Sequence, residues 1–263
     1  MSSQAPGLVI ALAAISLALL ALPVFSALFA CGPQELVAAS MDPEVISAIA
    51  LSFATATIAT LLSLALGVPL AYVLSRSSRR IRSVAEALLA VPVLLPHSAA
   101  GVAILSVLRP GSPLHALLPL LMDTPLGIVV AQAFVSAPLL VLSARAAFDE
   151  VPSGLELAAR SLGASKLRAF LWISLPLAKR GILAGALLTW ARALSEFGAV
   201  VVLAYHPLTA PVLVFHRFLA WGLKGSQPVV ALLIILTGAI LSVLSALGIR
   251  PYGGLGHVGH RGA

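Results

Sequence analysis

Of the 263 residues, 60% are apolar and 10% are charged, and the formal net charge is +7. A mean hydropathy of +1.08 excludes an ordinary water-soluble domain, in which about 25% of residues are charged. The basic balance does not point to nucleic acid, because Lys and Arg sit in stretches flanking apolar runs and form no separate basic patch.

A bilayer core about 30 Å thick is crossed by about 20 apolar residues in a helix. Runs of that length occur from Leu8 to Ala30, Ile46 to Leu74, Val84 to Leu108, Pro125 to Ala144, Gly181 to Ala204 and Pro228 to Ile249. They are continuous, whereas a membrane barrel needs short alternating segments. The expectation is therefore an all-α integral membrane protein with six transmembrane helices, forming one transmembrane domain over 1–263.

The first run has no basic residue before it and is longer than the apolar part of a signal peptide, so it reads as a retained helix. Cys31, which follows it, is the single cysteine, which excludes a disulfide within the chain and a cysteine-cluster metal site. After the second run, 75–83 carries Arg76, Arg79, Arg80 and Arg82. In the third run Pro92 and Pro96 are expected to break the backbone ladder beside His97 and Ser98, which is tolerated only where protein or water re-satisfies the freed groups. His97 there either lines a route or bonds a neighbouring carbonyl.

The loop at 150–176 reads differently from the spans around it. Ser153 and Glu156 have capping-box spacing, and Gly163 is a helix stop. Between them Leu155, Ala158, Ala159 and Leu162 recur at helical spacing, while Glu156 and Arg160 are placed to pair at i, i+4. A two-turn helix is marginal alone and must be held by packing; an amphipathic connector lying on the membrane would show the same spacing.

Cytoplasmic loops collect Lys and Arg. The stretches 75–83 and 145–180, the second holding Arg145, Arg160, Lys166, Arg168, Lys179 and Arg180, are placed inside. The poorer stretches 31–45, 109–124 and 205–227 are placed outside, and both termini inside, with Arg250 and Arg261 in a cytoplasmic tail at 250–263.

In the fifth run Arg192 and Glu196 stand one turn apart among apolar residues, with the small Ser195 and Gly198 beside them. Charges at membrane depth cost about 2.5–3.5 kcal/mol each on insertion scales. They either pair to fix helix packing or face a polar cavity. The outer stretch with His206, His216, Arg217 and Lys224 is equally a docking surface or a solvated connector.

No glycine-rich stretch leads into Lys-Ser or Lys-Thr, so no P-loop is present. Gly254, Gly256 and Gly259 match dinucleotide-loop spacing by chance, lacking a strand before and a helix after. The six histidines, including His115, His257 and His260, show no metal-ligand spacing. The chain is expected to have no catalytic residues, no metal and no cofactor of its own.

Ala158-Ala159, Gly163, Ile173 and Leu175-Pro176 together resemble the cytoplasmic signature of ATP-binding-cassette importer permeases. One departure is that Leu157 stands where that signature has its glutamate, with Glu156 one residue earlier. The runs PVLLPHSAAG from Pro92 to Gly101 and WARALSEFGAVVVLAYHP from Trp190 to Pro207 are similar to those of molybdate and tungstate importer permeases. Sulfate and thiosulfate permeases share a related Glu-Phe-Gly-Ala pattern.

The resemblance implies a type I importer permease architecture, with Ser153, Leu155, Glu156, Ala158, Ala159, Arg160, Leu162, Gly163, Ile173, Leu175 and Pro176 forming or supporting a coupling helix that docks on an ATPase. Pro96, His97, Ser98, Arg192, Ser195, Glu196, Phe197 and Gly198 are then the candidates for pathway or gate. The implied partners are a second copy of the chain, two ATPase subunits using ATP and Mg, an extracytoplasmic oxyanion-binding protein and membrane lipid. A tight anion site within the membrane is not expected, since no dense arginine cluster lies in the spans. The competing class is an ion-gradient-driven carrier with Arg192 and Glu196 as its charge relay; such carriers often carry paired repeats, and none is evident between the two halves.

Overall fold

The computed structural model describes residues 7–246. The glycines and histidines of the tail, Arg250 and Arg261, and the end of the run reaching Ile249 lie outside the described residues. Among the described residues the secondary structure is helical throughout, without a strand. Five helices are long and apolar enough to cross a membrane, or six when one sharply bent pair counts as a span.

In chain order the helices are α1 (Gly7–Phe29), α2 (Pro33–Met41), α3 (Pro43–Ser75), α4 (Arg79–Leu94), α5 (His97–Val107), a 3₁₀ turn (His115–Leu117), α6 (Leu118–Leu121), α7 (Pro125–Asp149), α8 (Ser153–Ser161), α9 (Lys166–Ala169), a π turn (Phe170–Ser174), α10 (Leu175–Leu194), α11 (Gly198–Leu203) and α12 (Ala210–Ala246). They fall into two compact units, one of residues 7–48 and 213–246 and the other of 49–212. In the first unit α1 buries no side chain, and Arg217 pairs with Asp42 and Glu44.

The second unit is built on α7 and α10. Their small residues allow close approach: a Cβ on Gly185 would lie 2.8 Å from Ser143 Cβ, and one on Gly181 would collide with Ala147. Ser143 Oγ donates to the Gly181 carbonyl (3.0 Å) and the buried Thr189 Oγ1 to the Ser136 carbonyl (3.3 Å), so both hydroxyls are satisfied across the pair. In α3, Thr55, Thr57, Thr60 and Ser63 donate to carbonyls one turn back, which spares their hydroxyls an unmet bond in an apolar setting. One apolar cluster joins α5, α7 and α11 through Ala100, Ile104, Ile128, Val135, Val200 and Leu203. A second joins α3, α7 and α10 through Ala71, Leu74, Val141, Phe148 and Ile182, with Val151 just before α8.

Several expected elements are corrected. The run from Val84 to Leu108 is two helices, α4 and α5, bent by 114°. The break falls at Leu95–Pro96, while Pro92 lies inside α4. The run from Gly181 to Ala204 is not one helix: α10 stops at Leu194, beside the charges, and α11 restarts at Gly198. Helix also extends below that run, because α9, the π turn and α10 form a continuous stretch from Lys166 to Leu194. Pro176 has no N–H to give the preceding turn, and the wider π turn just before it absorbs that irregularity. The connector expected at 205–227 is largely helical, since α12 begins at Ala210 and carries its kink at Gly222, where φ is 65°. Polar side chains there had suggested a loop, yet Arg217 is engaged by acids within its own unit.

Candidate functional site

Two constellations in the second unit gather the residues singled out from the sequence. The first surrounds α8. Its C-terminus closes as a Schellman turn: Gly163, at φ +90°, donates its N–H to the Arg160 carbonyl (3.0 Å), and Ala164 donates to Ala159 (3.0 Å). At the other end the expected capping box is absent. Pro152 occupies the N-cap, Ser153 is the first helical residue, and no side chain caps the turn.

Glu156 is instead turned inward, away from Ser153 and Arg160. Its Oε1 accepts from Arg76 Nη2 (2.6 Å), Arg76 Nε (3.2 Å) and Ser174 Oγ (2.6 Å), and its Oε2 accepts from Tyr72 Oη (2.8 Å). Arg76 also donates to the carbonyls of Phe148 (3.3 Å) and Val151 (3.2 Å). The Tyr72 ring packs against Phe148 and Phe170, with centroids 5.4 and 4.7 Å away. Burial pushes the Glu156 carboxyl upward, but the hydrogen bonds from Ser174, Arg76 and Tyr72 outweigh it and hold the group below the usual carboxylate value. The acid is therefore a charged, four-bonded hub.

The rest of α8 faces outward. Leu155, Leu157 and Leu162 are exposed, Leu162 at 90%, and no α8 residue is buried. Ala158 is exposed and Ala159 half-buried. Ile173 lies half-buried in the π turn, and Leu175 and Pro176 open α10. Nearby arginines are tied to acids, Arg145 to Asp149 (2.8 Å) and Glu86 (3.2 Å), and Arg82 to Asp149 (3.5 Å).

The second constellation lies where α10 breaks. Glu196 is 1% exposed. Its Oε2 is 2.7 Å from Arg192 Nη2, and its Oε1 accepts the Ala199 N–H at 2.8 Å, placing negative charge at the start of α11. His97 Nδ1 lies 2.9 Å from the same Arg192 nitrogen and 3.8 Å from Glu196 Oε2. A break in α10 thus meets the bend at Pro96, and the two short helices α5 and α11 begin side by side. Gly198 makes this approach possible, because a Cβ there would collide with the His97 Cβ and the Ser98 backbone. Ser98 and Ser195 are exposed, Ser195 Oγ bonding back to the Arg192 carbonyl (3.1 Å), and Phe197 is half-buried beside the α5–α7–α11 cluster. Arg192 and His97 stay partly exposed, so the ion pair presents one charged face outward from a buried carboxylate.

Gln132 was not singled out from the sequence. It is 1% exposed on α7, one turn before Ser136, and its amide makes no hydrogen bond among the described residues. A lone glutamine in an apolar run at 125–144 was the available signal. Among the described residues no three His, Cys, Asp or Glu side chains come together to hold a metal ion.

A multi-pass helical protein with a short, outward-facing helix between two spans belongs to a recognisable class. The model of the binding-protein-dependent transport system inner membrane component family matches residues 63–250, and this chain belongs to that family. It is 42% identical over 252 residues to a probable molybdenum ABC transporter permease protein of Haloferax volcanii, covering 94% of this chain and 91% of the relative. It is 43% identical over 211 residues to the molybdate/tungstate transport system permease protein of Thermococcus kodakarensis, covering 80% and 82%. A probable sulfate transport system permease protein of Nephroselmis olivacea is 33% identical over 214 residues, covering 78% and 75%. Among solved structures, a chain of a bacterial alginate ABC transporter in complex with a periplasmic protein bound to an alginate pentasaccharide superposes with TM-score 0.65 at 16% identity, covering 92% of this chain and 91% of that one. That likeness shows a shared type I permease fold.

Proposed function

We propose that this chain is the membrane pathway for ATP-driven import of a tetrahedral oxyanion, molybdate or tungstate. The observation that carries the substrate class is the identity of 42% and 43% to permeases named for molybdenum and for molybdate/tungstate, over most of the chain. The relative named for sulfate is more distant at 33%, which makes sulfate the second reading. An ion-gradient carrier has less support, because the family is one of binding-protein-dependent systems.

In this reading α8 is the coupling helix, with its exposed leucines seated in a groove of a separate ATPase subunit that supplies all ATP and Mg chemistry. Two copies of the chain enclose the pathway, two ATPase subunits close on ATP, and an extracytoplasmic protein delivers the anion. Closure draws the paired α8 helices together and opens the outer side; hydrolysis restores the inward state. Both termini and α8 then lie in the cytoplasm, consistent with the arginines of 75–83 and 145–180. The Arg192–Glu196–His97 cluster at the α10 break is the candidate constriction. Since Glu196 already balances Arg192 at 2.7 Å, the cluster holds little spare positive charge. It suits passage of a hydrated dianion better than tight capture.

Proteoliposomes containing the chain with its candidate ATPase and binding protein are the test. Expected is ATP-dependent uptake of molybdate or tungstate that the other of the two suppresses and sulfate suppresses weakly. Uptake by the chain alone, or preferential uptake of sulfate, would overturn the assignment.

A further inference from the structure

The side-chain hydrogen bonds that tie α8 to the rest of its unit converge on one carboxylate. α8 buries none of its residues, and its leucines face outward. Glu156 by contrast is 13% exposed in its side chain and bonds to three residues, Tyr72 and Arg76 at the end of α3 and Ser174 at the end of the π turn. An acid so placed would have to break these bonds to reach into another protein's groove. We infer that Glu156 is a positioning residue that clamps α8 to α3 and to the foot of α10, rather than a contact for the ATPase. This rests on the reading of α8 as the coupling helix.

The placement has a mechanical consequence. Ser174 lies immediately before α10, a 20-residue helix that spans about 30 Å at 1.5 Å per residue. Its far end carries Arg192, ion-paired with Glu196 and hydrogen-bonded to His97 at the break. A displacement of α8 is thereby handed through Glu156 to the base of the helix that ends at the candidate constriction. Arg76 ties the same carboxylate to the carbonyls of Phe148 and Val151, at the end of α7 and the entrance to α8, so hub and helix shift as one body. The hydroxyl of Ser174, fully buried, has Glu156 as its acceptor and makes the link short at 2.6 Å. Leu157, in the position where related permeases carry their acid, is 57% exposed and takes the outward place.

The test uses the assembled transporter in proteoliposomes, reading three quantities: co-purification of the ATPase, ATP hydrolysis, and oxyanion uptake per ATP hydrolysed. Glu156→Ala, Arg76→Ala and Ser174→Ala are expected to keep the ATPase bound and to lower uptake per ATP, about tenfold for the first two and severalfold for the third. Glu156→Gln, whose single amide oxygen keeps an acceptor for one of Ser174 and Tyr72, should recover part of the loss, and the Glu156→Ala/Arg76→Ala pair should be no worse than either single change. Tyr72→Phe and Ser174→Ala leave the carboxylate in place and test the clamp even where Glu156→Ala fails to insert. The inference is overturned if Glu156→Ala releases the ATPase while Arg76→Ala and Ser174→Ala retain it, or if uptake per ATP is unchanged in all variants. Absence of ATP-driven uptake by the unmodified chain would overturn the transport reading instead.

Discussion

Glu156 and Glu196 are both bound to arginine, yet they perform opposite structural tasks. Glu156 gathers donors from residues 84, 80 and 18 positions away, namely Tyr72, Arg76 and Ser174, and so ties separate helices into one piece. Glu196 acts locally, in an ion pair with Arg192 one turn earlier and accepting the N–H of Ala199 three residues later, and its reach beyond that is to His97. The first is a clamp at an exposed margin; the second is an ion pair closing a helix break in an apolar bundle. The lesson is that an acid's value depends on which elements its donors belong to. Distances of 2.6 and 2.7 Å are alike at the two sites.

The sharpest way to break the comparison is to remove the cation beside the buried Glu196 carboxylate. Arg192→Leu leaves Glu196, 1% exposed, without its cation, and losses from orphaning a buried charge run to about 3–5 kcal/mol. A large fall in thermal stability in detergent and loss of uptake are expected, with part of the stability returning in Arg192→Leu/Glu196→Gln. If Arg192→Leu is as stable as the parent, the pair is not structural.

A smaller effect is expected from Gly198→Ala, whose added Cβ collides with His97 and the Ser98 backbone. Overpacking of this kind costs about 1–3 kcal/mol. Uptake should fall while ATPase binding, which the proposal assigns to the other constellation, persists; loss of ATPase binding would mean the two regions are not separable.

At α8, Gly163→Ala forces a side chain into φ +90°, at about 1–2 kcal/mol. The space around Gly163 is open, so the penalty is conformational alone, and the chain should remain inserted. The C-terminal turn of α8 should loosen and uptake should be lost. Near-normal uptake would remove α8 from the coupling scheme.

The smallest expected effect is the pH dependence that Glu156 gives to stability. The folded state holds the Glu156 carboxyl below the ordinary value of 4.5. The unfolded chain therefore binds its proton first as pH falls, and the stability Glu156 contributes is complete above 4.5 and drains as pH drops through the lower folded value. Comparing the melting of the parent with Glu156→Gln from pH 7 to pH 3 should show a gap that is constant near neutrality and closes only in acid. A gap that closes above pH 5 would mean that the hub does not stabilise the charged form.

Much of this molecule was readable residue by residue. The helix stop at Gly163 followed from the ease with which glycine takes positive φ, and the Schellman bonds from Gly163 and Ala164 realise it. Arg192 and Glu196 were singled out because charges are rare in apolar helices, and they lie 2.7 Å apart. The spacing of Ser153 and Glu156 misled, since the same spacing fits a capping box and an inward-facing acid. Which one forms depends on whether donors from elsewhere outcompete one backbone N–H. Tyr72, Arg76 and Ser174 do so with charge-assisted and phenolic bonds. Prolines misled in the same manner. Pro92 and Pro96 look alike in the sequence, but only Pro96 sits at the bend, where packing of α5 against α11 rewards it.

Apolar run length and composition are summed over contiguous residues, so the sequence by itself determined that this is a helical membrane protein, read as six spans where the structure gives five or, counting the bent pair, six, with an amphipathic helix between two of them. Where Glu156 points, where α10 stops and how Gly198 admits His97 depend on groups brought from distant parts of the chain. Each of those choices is a competition between local bonding and a partner that only the folded bundle supplies, and so the tertiary structure alone decided them.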